Sequence, residues 1–414
     1  MATPYSADNL PGPDYLYVVG NAIPRGHCEL ETILDRGYRY TSFPELLRLH
    51  HLAGRCNIVI SGTHGKTTTA SLVAHLLMQA GLAPDFLIGG IPLDYGRGYH
   101  VDTGTYTVLE GDEYDTCFHD KRPKFVHYLP RYLIITSLEM DHLDIYHNME
   151  DLQWAFCQMV RTIPRCGLVI ACGDYPEVRR LMAGFSALPT VYYGENSDND
   201  VVVQRRGPTV CLQQPGKRQV SVTTNLPGMH NGLNVAAAYI LSGRLSIAHA
   251  EAVRALAGFK GVKRRMQLIY TDERHQVYDD FGHHPRAVRA NVLALRENFP
   301  DARILGVFEP KTNTSRTNYF YSAYLSVFAR LDGLIILDTD DRRKEADPLR
   351  IDMLVRLLPA RGCWAAIAES SEAVMRLMQT RAGDFDIAVL FSSGSFQGLR
   401  QRIMQAENLF NGQG

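Results

Sequence analysis

Short apolar runs alternate with amphipathic segments along most of the chain, which predicts strands that alternate with helices. Residues 57–60 (NIVI) are β-branched and uncharged, as in a buried strand. The next segment repeats apolar residues at helical spacing over 67–77, and Gly81 ends it. Further runs of strand length occupy residues 106–112, 132–138 and 167–174. This alternation predicts an α/β fold with a parallel, doubly wound sheet.

The pattern divides the chain into three parts. Residues 1–55 hold α/β material, but too little to close a core alone. Residues 56–262 form the predicted parallel sheet, and the short alternating steps of 201–228 add antiparallel strands to it. Glycine and basic residues then interrupt the pattern, and a second, Rossmann-like α/β unit is predicted over residues 263–414.

The segment between the first strand and its helix, SGTHGKTTT, predicts a phosphate-binding loop. Gly62 and Gly65 let the backbone turn tightly and point N–H groups at an anion, and the helix N-terminus adds its own. Lys66 is placed to reach the β- and γ-phosphates of ATP, and the Thr67 hydroxyl to hold Mg²⁺. Ile60 stands where the longer form of this motif has a glycine. The predicted nucleotide-binding residues are Gly62, Thr63, His64, Gly65, Lys66, Thr67 and Thr68.

Polar side chains follow two further strands. Glu110 ends the second strand, and its hard oxygen is suited to share Mg²⁺ with Thr67; a solvated acidic turn is the alternative. His142 lies between Asp141 and Asp144 behind the third strand, where a metal ligand and a structural histidine are equally compatible with the pattern.

Two segments further along offer groups for a nucleotide. Asn231 and Asn234 lie one turn apart at a helix start, where carboxamides suit an adenine edge or ribose and also serve as helix caps. Arg265 lies at the boundary between the two larger units, so domain closure would bring it onto a γ-phosphate; a solvated basic linker is the alternative.

The overall composition excludes some classes of protein. With 43 basic and 44 acidic residues, the chain lacks the charge excess of a general nucleic-acid or membrane-surface binder. Eight scattered cysteines without a C-x-x-C pair favour reduced core thiols over disulfides or zinc. The first residues show neither a basic leader nor a long apolar stretch, so we expect a cytoplasmic protein.

The motifs occur in an order that resembles the Mur ligase family of ATP-dependent enzymes that form amide bonds. The order is G-T-H-G-K-T-T-T, E-x-D-E-x-D, E-x-D-H-x-D, H-N-x-x-N, R-R and D-D-[FY]-G-H-H-P, and the likeness extends from Val18 to the C-terminus. It implies that His142 holds a second Mg²⁺ and that Arg265 and Asp280 close over ATP. It assigns the remaining roles to Lys66 (phosphates), Thr67 and Glu110 (Mg²⁺), and Asn231 and Asn234 (nucleotide).

Two members of this family act on the muramic acid carboxylate, one by adding L-alanine and one by adding a tripeptide. Residues 120–131, 308–316 and 391–399 resemble the tripeptide-adding member. The resemblance therefore implies a ligase that joins L-alanyl-γ-D-glutamyl-meso-diaminopimelate to UDP-N-acetylmuramate through an acyl phosphate, in peptidoglycan recycling. Candidate partners for the peptide carboxylates are Lys311, Asn313, Thr314 and Arg316, although a polar turn explains them equally well.

Some positions depart from the family pattern. Ser137 replaces a usual asparagine, and Lys311 replaces an arginine. The glycine-rich loop that grips the UDP diphosphate in the family has no counterpart, so residues 1–55 resemble only the late part of a UDP-sugar-binding domain. An L-alanine-adding ligase and a non-catalytic nucleotide-binding relative therefore remain as alternatives. The pattern gives no oligomeric state.

Overall fold

The structure is a computed structural model that describes residues 4–140, 145–407 and 409–410. In this part of the chain the strands form three sheets, of two, ten and six strands. Helices lie against both faces of the two larger sheets. The predicted α/β class is confirmed. No helix in the described ranges combines the length and apolar character needed to span a bilayer.

The N-terminal sheet is the smallest. Strands β1 (Tyr17–Val19) and β2 (Tyr40–Ser42) pair in parallel, and helix α1 (Cys28–Asp35) connects them. The Ser42 hydroxyl then caps helix α2 (Phe43–Leu47). Two parallel strands give little area for a core, which agrees with the few apolar side chains that this segment buries.

The ten-stranded sheet follows. Its strands are β3 (Cys56–Ser61), β4 (Asp85–Leu87), β5 (Tyr99–His100), β6 (Tyr106–Gly111), β7 (Tyr132–Ile135), β8 (Leu168–Cys172), β9 (Thr190–Gly194), β10 (Val201–Arg206), β11 (Thr209–Gln213) and β12 (Val220–Thr223). Their spatial order is β12-β11-β10-β9-β8-β7-β3-β6-β4-β5. The helices of this unit are α3 (Lys66–Gln79), α4 (Met149–Val160), α5 (Pro176–Ala183), α6 (Met229–Arg244) and α7 (His249–Gly258).

Pairing within this sheet agrees with the sequence pattern. Strands β10, β11 and β12 pair antiparallel, as predicted for residues 201–228, and β5 adds an antiparallel edge beyond β4. The central strands are parallel, and Ser61 pairs with both Gly111 and Ile135. The carboxyl ends of β3, β6 and β7 therefore lie side by side at one edge, where open α/β sheets bind ligands.

Strand β3 explains why both faces of the sheet are covered. Ile58 and Ile60 point into the core under α3, α6 and α7, whereas Val59 points into the core on the opposite face, under α4 and α5. All three side chains are fully buried. An uninterrupted apolar strand of this kind is stable only between two layers of helices.

The C-terminal sheet holds six strands, β13 (Gln267–Thr271), β14 (Gln276–Asp280), β15 (Ile304–Phe308), β16 (Gly333–Leu337), β17 (Trp364–Ala368) and β18 (Ile387–Phe391), in the order β13-β14-β18-β15-β16-β17. Only β13 runs antiparallel to its neighbour among these strands. The helices are α8 (Pro285–Asn298), α9 (Asn313–Arg316), α10 (Tyr321–Phe328), α11 (Asp340–Arg343), α12 (Ile351–Leu357), α13 (Ser371–Thr380) and α14 (Leu399–Gln405).

Several elements of this unit were not predicted. The sequence pattern missed strands β13 and β17 and helices α9, α11, α12 and α13. Strand β17 is an alanine-rich edge strand whose side chains are only partly buried apart from Ala368. Its pattern therefore lacks the apolar run that marks the central strands.

Candidate active site

The loop between β3 and α3 has the backbone that a phosphate site requires. Gly62 has φ +133°, and a Cβ there would lie 2.4 Å from Thr136 Oγ1 and 2.7 Å from the Ser137 carbonyl oxygen. Gly65 has φ +82° at the start of α3, and its Cβ would lie 2.6 Å from Asn234 Oδ1. Both positions therefore need glycine. The loop leaves the first N–H groups of α3 directed at the carboxyl edge of the sheet.

Side chains that follow β7 brace this loop. The Thr136 hydroxyl donates to the His64 carbonyl oxygen at 2.5 Å, and the Ser137 hydroxyl accepts from the His64 N–H at 2.8 Å. The Thr63 hydroxyl accepts from the Glu139 N–H at 2.9 Å and donates to the Glu139 carbonyl at 3.1 Å. Ser137, noted above as a departure from the family pattern, thus takes a definite structural role. Sequence reasoning did not find this brace, because its bonds join segments far apart in the chain.

Lys66 is largely buried, with 15% of its side chain exposed, and is already paired. Its Nζ donates to the Gly62 carbonyl at 2.6 Å and lies 2.9 Å from Glu113 Oε2. Burial alone would lower the pKa of Lys66, but the Glu113 carboxylate outweighs it and the pKa is raised. The lysine is therefore cationic. Glu113 was missed in the sequence although it belongs to the same E-x-D-E-x-D motif as Glu110, which was the available signal.

The side chains of Thr67 and Glu110 are in contact, and their shared binding of Mg²⁺ stays a prediction. The Thr67 hydroxyl donates to Glu110 Oε1 at 2.7 Å, and the other carboxylate oxygen accepts from the Gly89 N–H at 2.7 Å. A hydroxyl and a carboxylate beside the phosphate loop are the hard donors that Mg²⁺ prefers. His142, predicted as a second metal ligand, lies outside the described residues. Among the described residues, no group of three or more His, Cys, Asp or Glu side chains is arranged to hold a metal ion.

The two asparagines of α6 form a buried pair behind the loop. Asn234 donates to Asn231 Oδ1 at 3.1 Å and accepts from the Thr69 hydroxyl at 3.0 Å. Asn231 donates to the Pro227 carbonyl at 2.7 Å, and Gly228, not an asparagine, occupies the cap position of the helix. The pair thus locks the start of α6 against α3. Its contact with a nucleotide stays a prediction.

The C-terminal unit contributes an arginine to the same place. Arg265 Nη2 donates to Thr67 Oγ1 at 3.2 Å, and its guanidinium carbon lies 5.0 Å from the centre of the Phe281 ring. Asp280 is buried and accepts from the N–H groups of Met266 at 2.7 Å and Gly282 at 2.6 Å. Burial raises the pKa of Asp280, although Arg265 and these N–H groups oppose the shift. Asp280 thus anchors the backbone that carries Arg265.

The candidate substrate residues follow β15, at the carboxyl edge of the C-terminal sheet. They are Lys311, Asn313, Thr314 and Arg316. Lys311 Nζ lies 2.5 Å from Asp341 Oδ2, and Arg316 Nε lies 2.9 Å from Glu345 Oε1. Both cations thus face acidic residues of the segment around α11. Their role toward a substrate stays a prediction.

The fold and this arrangement define a class of protein. A glycine loop at the carboxyl edge of a parallel sheet, a buried lysine, and an arginine supplied by a second α/β unit are the parts of a two-domain P-loop nucleotide-binding enzyme. Comparison with known proteins narrows the class. Residues 60–242 match the Mur ligase middle domain, and residues 264–394 match the glutamate ligase domain of Mur ligases. The chain belongs to the Mur ligase family, and it is an ATP-dependent ligase that joins an acid to an amino acid or peptide.

Individual relatives span most of the chain. A match to the UDP-N-acetylmuramate–L-alanyl-γ-D-glutamyl-meso-2,6-diaminoheptandioate ligase of Haemophilus influenzae is 33% identical and covers 95% of this chain and 85% of the relative. A UDP-N-acetylmuramate–L-alanine ligase of Chlorobium phaeovibrioides is 34% identical over 78% of this chain and 68% of its own. The crystal structure of a murein peptide ligase from Psychrobacter arcticus superposes with a TM-score of 0.69 at 29% identity, covering 96% of this chain and 86% of that one.

Proposed function

We propose that this ligase joins the amino group of L-alanyl-γ-D-glutamyl-meso-diaminopimelate to the carboxylate of UDP-N-acetylmuramate, as a step in peptidoglycan recycling. The name of the Haemophilus relative and the similarity of residues 120–131, 308–316 and 391–399 support this choice. One observation carries the mechanism. Arg265 of the C-terminal unit lies 3.2 Å from the hydroxyl of Thr67, the residue next to Lys66, so the two units meet around one phosphate site.

In the first step, an oxygen of the acceptor carboxylate attacks the γ-phosphorus of ATP, ADP leaves, and an acyl phosphate forms. The carboxylate needs this activation because its anion is a poor electrophile. Lys66 donates to phosphate oxygens while it keeps its pairing with Glu113, the loop N–H groups hold the same phosphates, and Arg265 approaches from the opposite side. These charges stabilise the negative charge that is spread over the transferred group.

We assign Mg²⁺ to Thr67 and Glu110, and a second ion to His142. The 2.7 Å contact between the Thr67 hydroxyl and Glu110 fits such a site, since two hard oxygens already converge beside the phosphate loop. When bound, Mg²⁺ supplies positive charge to the phosphates. Asn231 and Asn234 are assigned to the nucleotide, which their carboxamides would reach after their mutual hydrogen bond rearranges.

In the second step, the peptide amine attacks the acyl carbon, and the tetrahedral intermediate expels phosphate. Lys311 and Arg316 are proposed to bind peptide carboxylates in place of Asp341 and Glu345, with Asn313 and Thr314 as polar neighbours.

We propose that each of the three parts of the chain binds a different substrate. Residues 1–55 belong to the UDP-sugar side, residues 56–262 bind ATP, and residues 263–414 bind the amine substrate. All eight cysteines are free, which is typical of a reducing compartment, and we propose the cytoplasm.

A second candidate is an L-alanine-adding ligase. The Chlorobium relative is of that kind, and it matches this chain at 34% identity, as closely as the tripeptide-adding relative does. Its match covers a smaller share of the chain, 78% against 95%. Coverage does not separate the two candidates, however, because the L-alanine-adding ligase of Methylococcus capsulatus covers 93% of this chain at 32% identity. The similarity of residues 120–131, 308–316 and 391–399 to the tripeptide-adding member is what favours the tripeptide as the amine substrate.

The test is ADP and phosphate release with Mg-ATP. UDP-N-acetylmuramate, tripeptide and L-alanine are supplied alone and in pairs, with Lys66→Ala as the inactive control. We expect release that requires both UDP-N-acetylmuramate and tripeptide, with kcat/KM for the tripeptide at least about a hundredfold above that for L-alanine. Preference for L-alanine would establish the second candidate. Release that does not depend on UDP-N-acetylmuramate would refute both.

A further inference from the structure

Helix α8 of the C-terminal unit begins with a cation that its own helix does not favour. Arg286 is the second residue of α8, and the first turn contains no acidic side chain. The N-terminus of a helix carries partial positive charge, so an arginine there is locally unfavourable. The side chain is 64% exposed, so packing in the core does not account for it either. An interaction outside the helix must explain the residue.

That interaction crosses the cleft. The Arg286 guanidinium forms an ion pair with Glu139 of the central unit. The Glu139 side chain is only 13% exposed, and its other oxygen lies 3.3 Å from His64 Nε2. The backbone of Glu139 is the one that exchanges two hydrogen bonds with Thr63 of the phosphate loop. Arg286 of the C-terminal unit thus pairs with the carboxylate of Glu139, and the backbone of Glu139 braces the phosphate loop of the central unit.

Two further contacts also join the C-terminal unit to the phosphate loop. The rings of His64 and His284 lie 5.0 Å apart, and His284 caps the helix that carries Arg286. Arg265 reaches Thr67 at the other side of the loop. Opening of the cleft would separate all three contacts together. It would also leave the largely buried Glu139 without its arginine, which is costly for a carboxylate.

We propose that Arg286 is a positioning residue: its ion pair with Glu139 holds the C-terminal unit closed on the phosphate loop and fixes Thr63 and His64 in the geometry that binds ATP. The inference rests on the proposed binding of ATP between the two units. Arg286 does not touch the phosphates in this arrangement. It acts through Glu139, and it favours the closed state before the acceptor carboxylate arrives.

The experiment compares Arg286→Ala with Arg286→Lys and with Arg289→Ala, a matched control. Arg289 is an exposed arginine of the same helix, and its loss removes an equal charge. Small-angle scattering gives the radius of gyration of the intact protein, with and without a non-hydrolysable ATP analogue, and calorimetry gives the analogue Kd. We expect Arg286→Ala to increase the radius without the analogue and to weaken analogue binding about five- to tenfold. Arg286→Lys should retain most of the affinity, and Arg289→Ala should change neither quantity.

A double-mutant cycle with Glu139→Gln isolates the pair. If the ion pair is responsible, Arg286→Ala has little further effect in the Glu139→Gln background. Equal radii and affinities for Arg286→Ala and Arg289→Ala would overturn the proposal, as would additive effects in the cycle. Thermal melts identify any variant that fails to fold, in which case Arg286→Lys and Glu139→Gln supply the comparison. None of these measurements uses turnover, so an error in the proposed substrates leaves them unaffected, and their failure does not refute the proposed reaction.

Discussion

The two sides of the cleft are held together in different ways. On the phosphate-loop side, hydrogen bonds from the strand ends fix the backbone, and Lys66 and Glu113 form a buried pair with 15% and 3% of their side chains exposed. On the C-terminal side, Lys311 and Asp341 are 43% and 41% exposed. Removing one member of a buried ion pair is costly, because the other charge is left buried without a partner, whereas an exposed ion pair contributes little to stability. The first side is therefore preorganised for a phosphate, and the second can exchange its partners for a substrate.

Lys66 gives the strongest test of this difference. Lys66→Ala removes the cation at the phosphates and leaves Glu113 buried without it. We expect kcat/KM for ATP to fall about a thousandfold or more, and stability to fall by about 3 kcal/mol. Coupled ADP release measures the first quantity, and urea unfolding measures the second.

The double variant Lys66→Met/Glu113→Gln separates the two effects. It should recover most of the stability, because no buried charge is left unpaired, while activity stays lost. If Lys66→Ala were as stable as the parent protein, the pair of Lys66 and Glu113 would not contribute to stability.

This side of the cleft was also the more predictable from sequence. Gly62 and Gly65 were identified because a tight loop with left-handed backbone leaves a visible residue requirement. Thr67 and Glu110 were paired because the carboxyl ends of parallel strands meet at one edge. Glu139 and Arg286 were not found, because an ion pair between distant segments leaves no periodicity in the chain.

Arg265 tests the contribution of the C-terminal unit. Arg265→Ala removes the charge that approaches the phosphates from the second side, so we expect kcat to fall about a hundredfold with little change in stability. The neighbouring Arg264 is the control. It donates to the carbonyl oxygens of Ser392 at 2.6 Å and Gly394 at 2.9 Å, so Arg264→Ala should lower the melting temperature more than kcat. Similar effects of the two variants on kcat would contradict a specific role for Arg265 at the phosphates.

Arg316 tests whether the ion pairs on the C-terminal side of the cleft exchange for substrate. Arg316→Ala should raise KM for the amine substrate about tenfold and leave KM for ATP unchanged, because a charge-assisted bond to a carboxylate is lost at that subsite alone. Arg350→Ala, at a more exposed arginine near the same segment, is the control and should alter neither constant. Initial rates at varied peptide and ATP give both values. An equal rise in both KM values would mean that Arg316 supports the structure of the cleft as a whole and does not bind the amine substrate.

The C-terminal unit was less predictable for a physical reason. Lys311 and Arg316 were found as polar residues after a strand, yet their acidic partners lie on the segment around α11, which the sequence pattern did not identify as a neighbour. Asp280 was identified through the family resemblance alone. That its carboxylate binds the backbone N–H groups of Met266 and Gly282 depends on tertiary geometry alone.

His230 gives the smallest expected effect and tests how strongly the start of α6 is preorganised. Burial, with the nearby charges of Arg205 and His64, lowers the pKa of His230 to about 4. The folded state therefore keeps this imidazole neutral at pH values where the unfolded chain binds a proton. This contribution to stability is complete above about pH 6.5 and is lost as the pH falls toward 4, with about 2 kcal/mol lost by pH 5. Urea unfolding at pH 7.5, 6 and 5 measures it. His230→Gln cannot take up the proton, so its free energy of unfolding should fall less steeply as the pH is lowered. Equal pH dependence of stability in the two proteins would mean that His230 titrates normally and that the start of α6 is open to water.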